Sequence, residues 1–139
     1  VIRLKGDMYT PTPWVNIISN KNFGCTVSES GSSFTWAENS RENKLTPWMN
    51  DPVTDETGEA IYIQDDKTGE TWSITPLPVR HQETYTIYHG QGYSRFEQQG
   101  HGLEQELTIF VGKDDPVKIT LNSPSNRICS FRHFLLFPD

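Results

Sequence analysis

Carboxylates and indoles crowd one stretch of this chain, Ser28 to Asp51, which reads SESGSSFTWAENSRENKLTPWMND. This stretch and the residues just after it hold the acids Glu38, Glu42, Asp51, Asp55 and Glu59. Acid–base chemistry at an acetal needs an acid carboxyl on one face of the bond and a base, a nucleophile or phosphate on the other. Acids in the loops of a chain with net charge −6 are ordinarily solvated, and no spacing here marks a catalytic pair. Binding is the better-supported chemistry. Trp36 and Trp48 flank a polar run that includes Asn39, Arg41 and Glu42. Indoles stack on flat apolar faces, while guanidinium, amide and carboxylate groups bond hydroxyls in a partly dry cleft. Trp36, Asn39, Arg41, Glu42, Trp48 and Asp51, with Gln91 and Tyr93 further on, are the candidate contacts for a carbohydrate or a neighbouring domain. In the competing reading the indoles only brace the loop, and Arg41 clamps a carboxylate such as Glu38 or Asp51.

Other chemistries find little support. His81, His89, His101 and His133 are scattered without an HxH or HxxxH pair, so neither metal nor cofactor is expected. Cys25 and Cys129 lack CxxC spacing and read as buried free thiols. The GQG at 90–92 has no Lys and no following helix to cradle a phosphate. No basic patch suits nucleic acid, and no apolar run approaches the roughly 20 residues of a membrane helix. The opening VIRLKGDMYTPTP resembles neither a signal peptide nor an amphipathic anchor, which leads us to expect a cytoplasmic domain.

The elements that must position these residues are strands. A helix fails through 37–44, where no apolar residue recurs at three or four positions, and β-branched residues are absent as well. Residues 37–58 therefore form a long loop, ordered by its indoles and Pro47, with both Trp36 and Trp48 expected to be largely buried. Before it, 14–36 reads as a meander of three short strands. After it, Asp65-Asp66-Lys67-Thr68-Gly69 turns a hairpin between 60–63 and 70–73. Strands follow at 84–89, 93–97, 103–111 and 117–121, the last two with alternating apolar residues. Residues 1–13, broken by Pro11 and Pro13, read as a lead-in unlikely to enter a central strand. Trp14 and Trp72 lie in strand-like runs and are expected in the core. The total is about nine strands and no convincing helix, in a single all-β domain built as an antiparallel sandwich or barrel.

The motifs also carry a resemblance. TWAENSRENKLTPWMNDPVTDETGEAIYIQDDKTGETWSITPLP, TPTPWVNIISNKNFGCTVSESG at 10–31, HGQGYSRFEQ at 89–98 and ELTIFVGKDDPVKI at 106–119 occur in family order. Over about 9–119 the chain resembles the amino-terminal β-sandwich of the cellobiose and chitobiose phosphorylase family, and more closely that of cyclic β-1,2-glucan synthases. The resemblance implies a galactose-mutarotase-like supersandwich, of which this chain would supply about half. It also implies that the catalytic Asp and the phosphate-binding residues lie in a downstream helical barrel, so the chain alone is non-catalytic. The sandwich would support that barrel, the dimer and the sugar site, binding β-glucan oligosaccharide weakly or not at all. A parent synthase would be anchored to the inner membrane. A free-standing carbohydrate-binding module, or a relic of a truncated gene, is the alternative. Residues 122–139 depart from the family pattern, and the run ICSFRHFLLF at 128–137 is apolar with little charge. A half sandwich exposes edge groups and an inner face, so a homodimer is expected whose interface includes Phe131, Phe134, Leu135, Leu136 or Phe137.

Overall fold

The alternation at residues 103–111 sets one face of the largest sheet. In the computed structural model, residues 1–48, 51 and 53–125 are described, together with the strand path of 131–136. Cys129 and Phe137 lie outside the described residues, as do the side chains of Phe131, His133, Phe134, Leu135 and Leu136. The strands are β1 (Ile2–Lys5), β2 (Val15–Ser19), β3 (Phe23–Ser28), β4 (Ser33–Ala37), β5 (Ala60–Asp65), β6 (Thr71–Ser73), β7 (Thr84–Gly90), β8 (Tyr93–Gly100), β9 (Leu103–Val111), β10 (Lys118–Pro124) and β11 (Phe131–Leu136). All pairings are antiparallel, in three sheets ordered β1-β7-β8-β9-β10, β11-β5-β6 and β2-β3-β4. No helix occurs among the described residues, and none is long and apolar enough to cross a membrane.

The pleat decides what is buried. Leu103, Gln105, Leu107 and Ile109 point inward from β9 and are buried, and Phe96 and Ile87 lie opposite them on β8 and β7. β2 and β3 pack over β8 and β9, adding Ile18, Cys25 and Val27 to the same core. Ile63, Trp72 and Ile74 complete it from the third sheet and the segment after it. Trp72 is 1% exposed, and its indole N–H donates to Gln105 Oε1 at 3.2 Å. The one amide on the apolar face of β9 thus satisfies a buried indole donor. Cys25 is a buried free thiol, pushed up to about 11 by burial, as the lack of CxxC spacing suggested.

The hairpins follow turn chemistry. Gly69 at φ 74° ends the 65–69 turn, and Gln91-Gly92 joins β7 to β8 with Gly92 at φ 82°. His101 at φ 54° and Gly102 at φ 71° join β8 to β9, the primed geometry that matches strand twist.

Three expectations require correction. There are eleven strands among the described residues rather than nine. β1 is a strand because Ile2 and Leu4 alternate before the turn at Gly6; it lies at the edge, beside β7, and buries Leu4. Trp14 is 57% exposed instead of being in the core. Its backbone is held on both sides, its N–H donating to Glu29 Oε2 at 2.6 Å and its carbonyl lying 2.9 Å from His89 Nε2, which leaves the indole outside. The alternating apolar residues of 117–121 lie on the edge strand β10 and the turn before it, with Val117 and Leu121 exposed.

The buried indole makes a direct test of the core. Trp72→Ala should cost about 3–5 kcal/mol, the usual range for a large aromatic cut to alanine. Urea unfolding should show this as a lower midpoint with an unchanged slope.

Candidate functional site

The loop after β4 begins by extending the sheet. Trp36 bridges to Lys44, Ala37 N–H donates to Asn43 O at 3.2 Å, and Leu45 N–H donates to Thr35 O at 2.8 Å. Between these, Glu38 at φ 60° turns the chain. The Asn39 side-chain oxygen then accepts the N–H groups of Arg41 at 2.9 Å and Glu42 at 3.0 Å. Asn39 is thus a turn cap, using the local hydrogen bonding that favours Asn at such positions. Arg41 bonds neither Glu38 nor Asp51; it pairs with Glu42 at 3.2 Å, with the two side chains 90% and 72% exposed. So exposed a pair contributes little to stability.

The far end of the loop returns to the same place. A Cβ on Gly58 would fall 2.3 Å from Pro47 O and 2.7 Å from Ser33 O, so only glycine lets the two ends close. Next to it, Glu59 is 7% exposed. Its Oε1 accepts from Thr35 Oγ1 at 2.6 Å and Thr46 Oγ1 at 2.8 Å, and its Oε2 is ion-paired with Lys118. Lys118 Nζ also donates to Thr35 Oγ1 at 3.1 Å. Burial alone would raise the Glu59 carboxyl, but the Lys118 ammonium and the two threonine hydroxyls outweigh it and hold the group below its ordinary value of 4.5.

Between these anchors the indole of Trp48 lies against Phe34, ring centres 5.1 Å apart, and stays 47% exposed. Trp36 is half-buried, its ring resting where Gly24 leaves room. The expectation that both indoles are largely buried is therefore wrong for Trp48: Pro47 and Gly58 restrain its backbone, Phe34 packs against the ring and Lys44 Nζ lies over it at 5.4 Å from the centroid, and about half of the residue stays exposed. Below it is a cleft of about 280 Å³ lined by Val15, Phe34, Trp48, Asp51, Asp55 and several hydroxyls, including Ser28 and Ser32. Asp51 caps its own turn, accepting from Val53 N–H and Thr54 Oγ1 at 2.9 Å each, and these bonds hold its carboxyl low. Asp55 accepts from Ser28 Oγ at 2.7 Å, yet burial pushes its carboxyl above the ordinary 3.8.

The structure brings together Trp48 and Asp51 from the candidate set, with Asp55 from the acids. Asn39, Arg41 and Glu42 sit at the loop tip. Gln91 and Tyr93 belong to the β7–β8 turn on the five-stranded sheet, where the Tyr93 ring covers Gly90 and is 39% exposed. Phe34 and Lys118 were missed as site-forming residues. The signal for Phe34 was its spacing of two from Trp36 within a strand, which puts both on one face. A larger groove of about 810 Å³ crosses the outer face of β7–β10, lined by Glu83, Glu97, Gln99, Glu104 and Glu106 among others. No indole lines it, and three of its acids have partners: Glu97 holds Arg95 and Tyr88, Glu104 holds Gln99, and Glu106 lies 4.0 Å from Arg95. The smaller cleft, with an open indole beside acids and hydroxyls, has the better chemistry for a polyhydroxylated ligand. No group of three or more metal-ligating side chains converges among the described residues.

Comparison with known proteins places these features in a family context. The family model described as "Glycosyl hydrolase 94, supersandwich domain" matches residues 1–127. Cyclic beta-(1,2)-glucan synthase NdvB of Rhizobium meliloti (strain 1021) is 39% identical over 139 aligned residues, covering 98% of this chain. N,N'-diacetylchitobiose phosphorylase of Vibrio proteolyticus is 29% identical over 112 residues, 78% of the chain. Solabiose phosphorylase of Paenibacillus borealis is 35% identical over 83 residues, 55% of the chain. The chain spans only 5%, 14% and 11% of those relatives' own lengths.

Buried Glu59 and half-buried Asp55 should respond to pH with opposite signs. Glu59, depressed on folding, contributes stability that is present above its ordinary value and lost as pH falls through the lower folded value. Asp55, raised on folding, favours the folded state most below its ordinary value, an advantage lost as pH rises through the folded value. At pH 7, Glu59→Gln should therefore lower Tm and Asp55→Asn should raise it, and both differences should shrink toward pH 3. Thermal unfolding across that range checks the pair.

Proposed function

The chain belongs to the supersandwich domain family of glycosyl hydrolase 94, and from that premise we propose that it is a non-catalytic β-sandwich of a carbohydrate-active enzyme. Its parent acts on β-linked gluco-oligosaccharides, as a cyclic β-1,2-glucan synthase or a disaccharide phosphorylase, and works in the cytoplasm or from the inner membrane. The sandwich supports a helical-barrel catalytic domain, and the loop carrying Trp48 approaches the sugar. One observation carries this last step: Trp48, packed on Phe34 with Lys44 Nζ over its ring, stays 47% exposed and lines a cleft with Asp51 and Asp55. A sugar's apolar ring face suits the indole, and its hydroxyls suit the acids. Asn39, Arg41, Glu42, Gln91 and Tyr93 then stand as contacts to the barrel rather than to the sugar. The exposed apolar residues of β10 and its edge position support self-association as a homodimer.

Three measurements test this. Incubated with phosphate and β-1,2-, β-1,3- or β-1,4-linked gluco-oligosaccharides, the chain should release no glucose 1-phosphate; turnover by a clean sample overturns the non-catalytic assignment. A titration with β-1,2-gluco-oligosaccharide followed by NMR should move the Trp48 indole and Asp51 amide signals, and Trp48→Ala should abolish the remaining shifts. Signals that stay fixed up to saturating sugar would remove the cleft from the sugar path. Sedimentation equilibrium at micromolar concentration should give twice 15.9 kDa, and a clean monomer defeats the dimer.

A further inference from the structure

Behind the strand that carries Phe34 lies a buried ion pair, Glu59–Lys118, with side chains 6% and 16% exposed. Its partners come from four separate places. Glu59 follows Gly58 at the close of the loop and Lys118 opens β10. Thr35 lies in β4 beside Phe34, and Thr46 is two residues before Trp48. Thr46 Oγ1 works in both directions, donating to Glu59 Oε1 at 2.8 Å and accepting from Thr35 N–H at 2.9 Å. The loop's first half is thereby tied to its end and to the strand on which the Trp48 indole rests.

We propose that Glu59, Lys118 and Thr46 form a latch that holds segment 38–48 against β4 and so positions Trp48 over Phe34. Lys118 and Glu59 are positioning residues: they contact no ligand and act through Thr46. With Lys118 present, Glu59 stays ionised and accepts both threonine hydroxyls. Without it, a buried carboxylate would be left short of its cation, so it must take up a proton or water, and the hydroxyls lose an ionised acceptor. The near half of the loop then keeps its backbone contacts, Leu45 to Thr35 and Ala37 to Asn43, the Thr35 N–H bond to Thr46 Oγ1 and the packing of Trp48 on Phe34, but loses its ionised tie to Glu59. The consequence for sugar rests on the reading of Trp48 given above; the latch is tested without sugar.

Hydrogen exchange of the whole chain provides the test, comparing segment 37–48 with the β7–β8 hairpin, 84–98. Lys118→Met and Glu59→Gln should each speed exchange in 37–48 by about tenfold or more while 84–98 changes less than about twofold, a local rather than global opening. Thr46→Val, which leaves the ion pair whole, should do the same, and Thr46→Ser should restore the wild-type rate. Trp48→Ala, which removes the ledge but not the latch, should leave the Leu45 amide unchanged. If Lys118→Met does not fold, the Thr46 pair of variants decides. Unchanged exchange in 37–48, an equal rise in both segments, or failure of Thr46→Ser to rescue would overturn the proposal. Each of these results is independent of whether the cleft binds sugar.

Discussion

A single buried ion pair, with its hydrogen-bond partners, ties together residues from three sheets in this domain. Lys118 comes from the edge of the five-stranded sheet, Thr35 from the β2-β3-β4 sheet, and Glu59 from the residue that enters β5. Burying two charges is costly, and their mutual attraction compensates only when hydrogen bonds satisfy the remaining valences. Here Thr35, Thr46 and Ser33 surround the pair. Replacing both charges by packed apolar groups is often harmless in proteins, whereas removing one partner typically costs about 3–5 kcal/mol. The pair therefore works as a constraint on geometry. Apolar surfaces slide at little cost, but a buried carboxylate tolerates only the arrangement that brings Lys118 to it. The thiol of Cys25 lies within reach of the same charges, with Lys118 lowering it and Glu59 raising it, yet burial dominates and keeps it protonated.

The fold was legible where side chains repeat at the strand period. Residues 84–89, 93–97 and 103–111 gave their strands because β-branched and aromatic residues alternate there, and Gly69, Gly92 and Gly102 marked turns that need positive φ. β1 was hidden by its length of four residues and by the prolines that follow it. Trp14 was misjudged because strand-like neighbours predict a side chain's alternation but not which face is covered. That depends on the loop Glu29 and His89 hold around it.

The site was less legible than the fold, and for a physical reason. Asn39, Arg41 and Glu42 stood out by residue type, but type does not separate a turn cap or a neighbouring ion pair from a ligand contact. The residues that build the cleft lie far apart in sequence: Val15 in β2, Phe34 in β4, Trp48 and Asp51 within the loop, Asp55 near its end. Lys118 is 59 residues from Glu59. A pairing at that separation leaves no local pattern, since either residue alone looks like an ordinary surface charge.

The open indole of Trp48 has a cost and a use. Ordering a loop of this length opposes folding by roughly 1–2 kcal/mol per residue in backbone entropy. Gly58, Pro47, the Asn39 and Asp51 caps and the Glu59 network offset that cost within the loop itself. An aromatic side chain fixed before any contact loses little further freedom when a contact forms. A loop evolved only to connect β4 to β5 would be expected to turn Trp48 inward, where burying its exposed half would add stability at about 25 cal/mol per Å². Trp48 instead stays 47% exposed on a backbone held near Pro47 and Gly58, which leaves part of its ring available as a contact surface, as the proposed function requires.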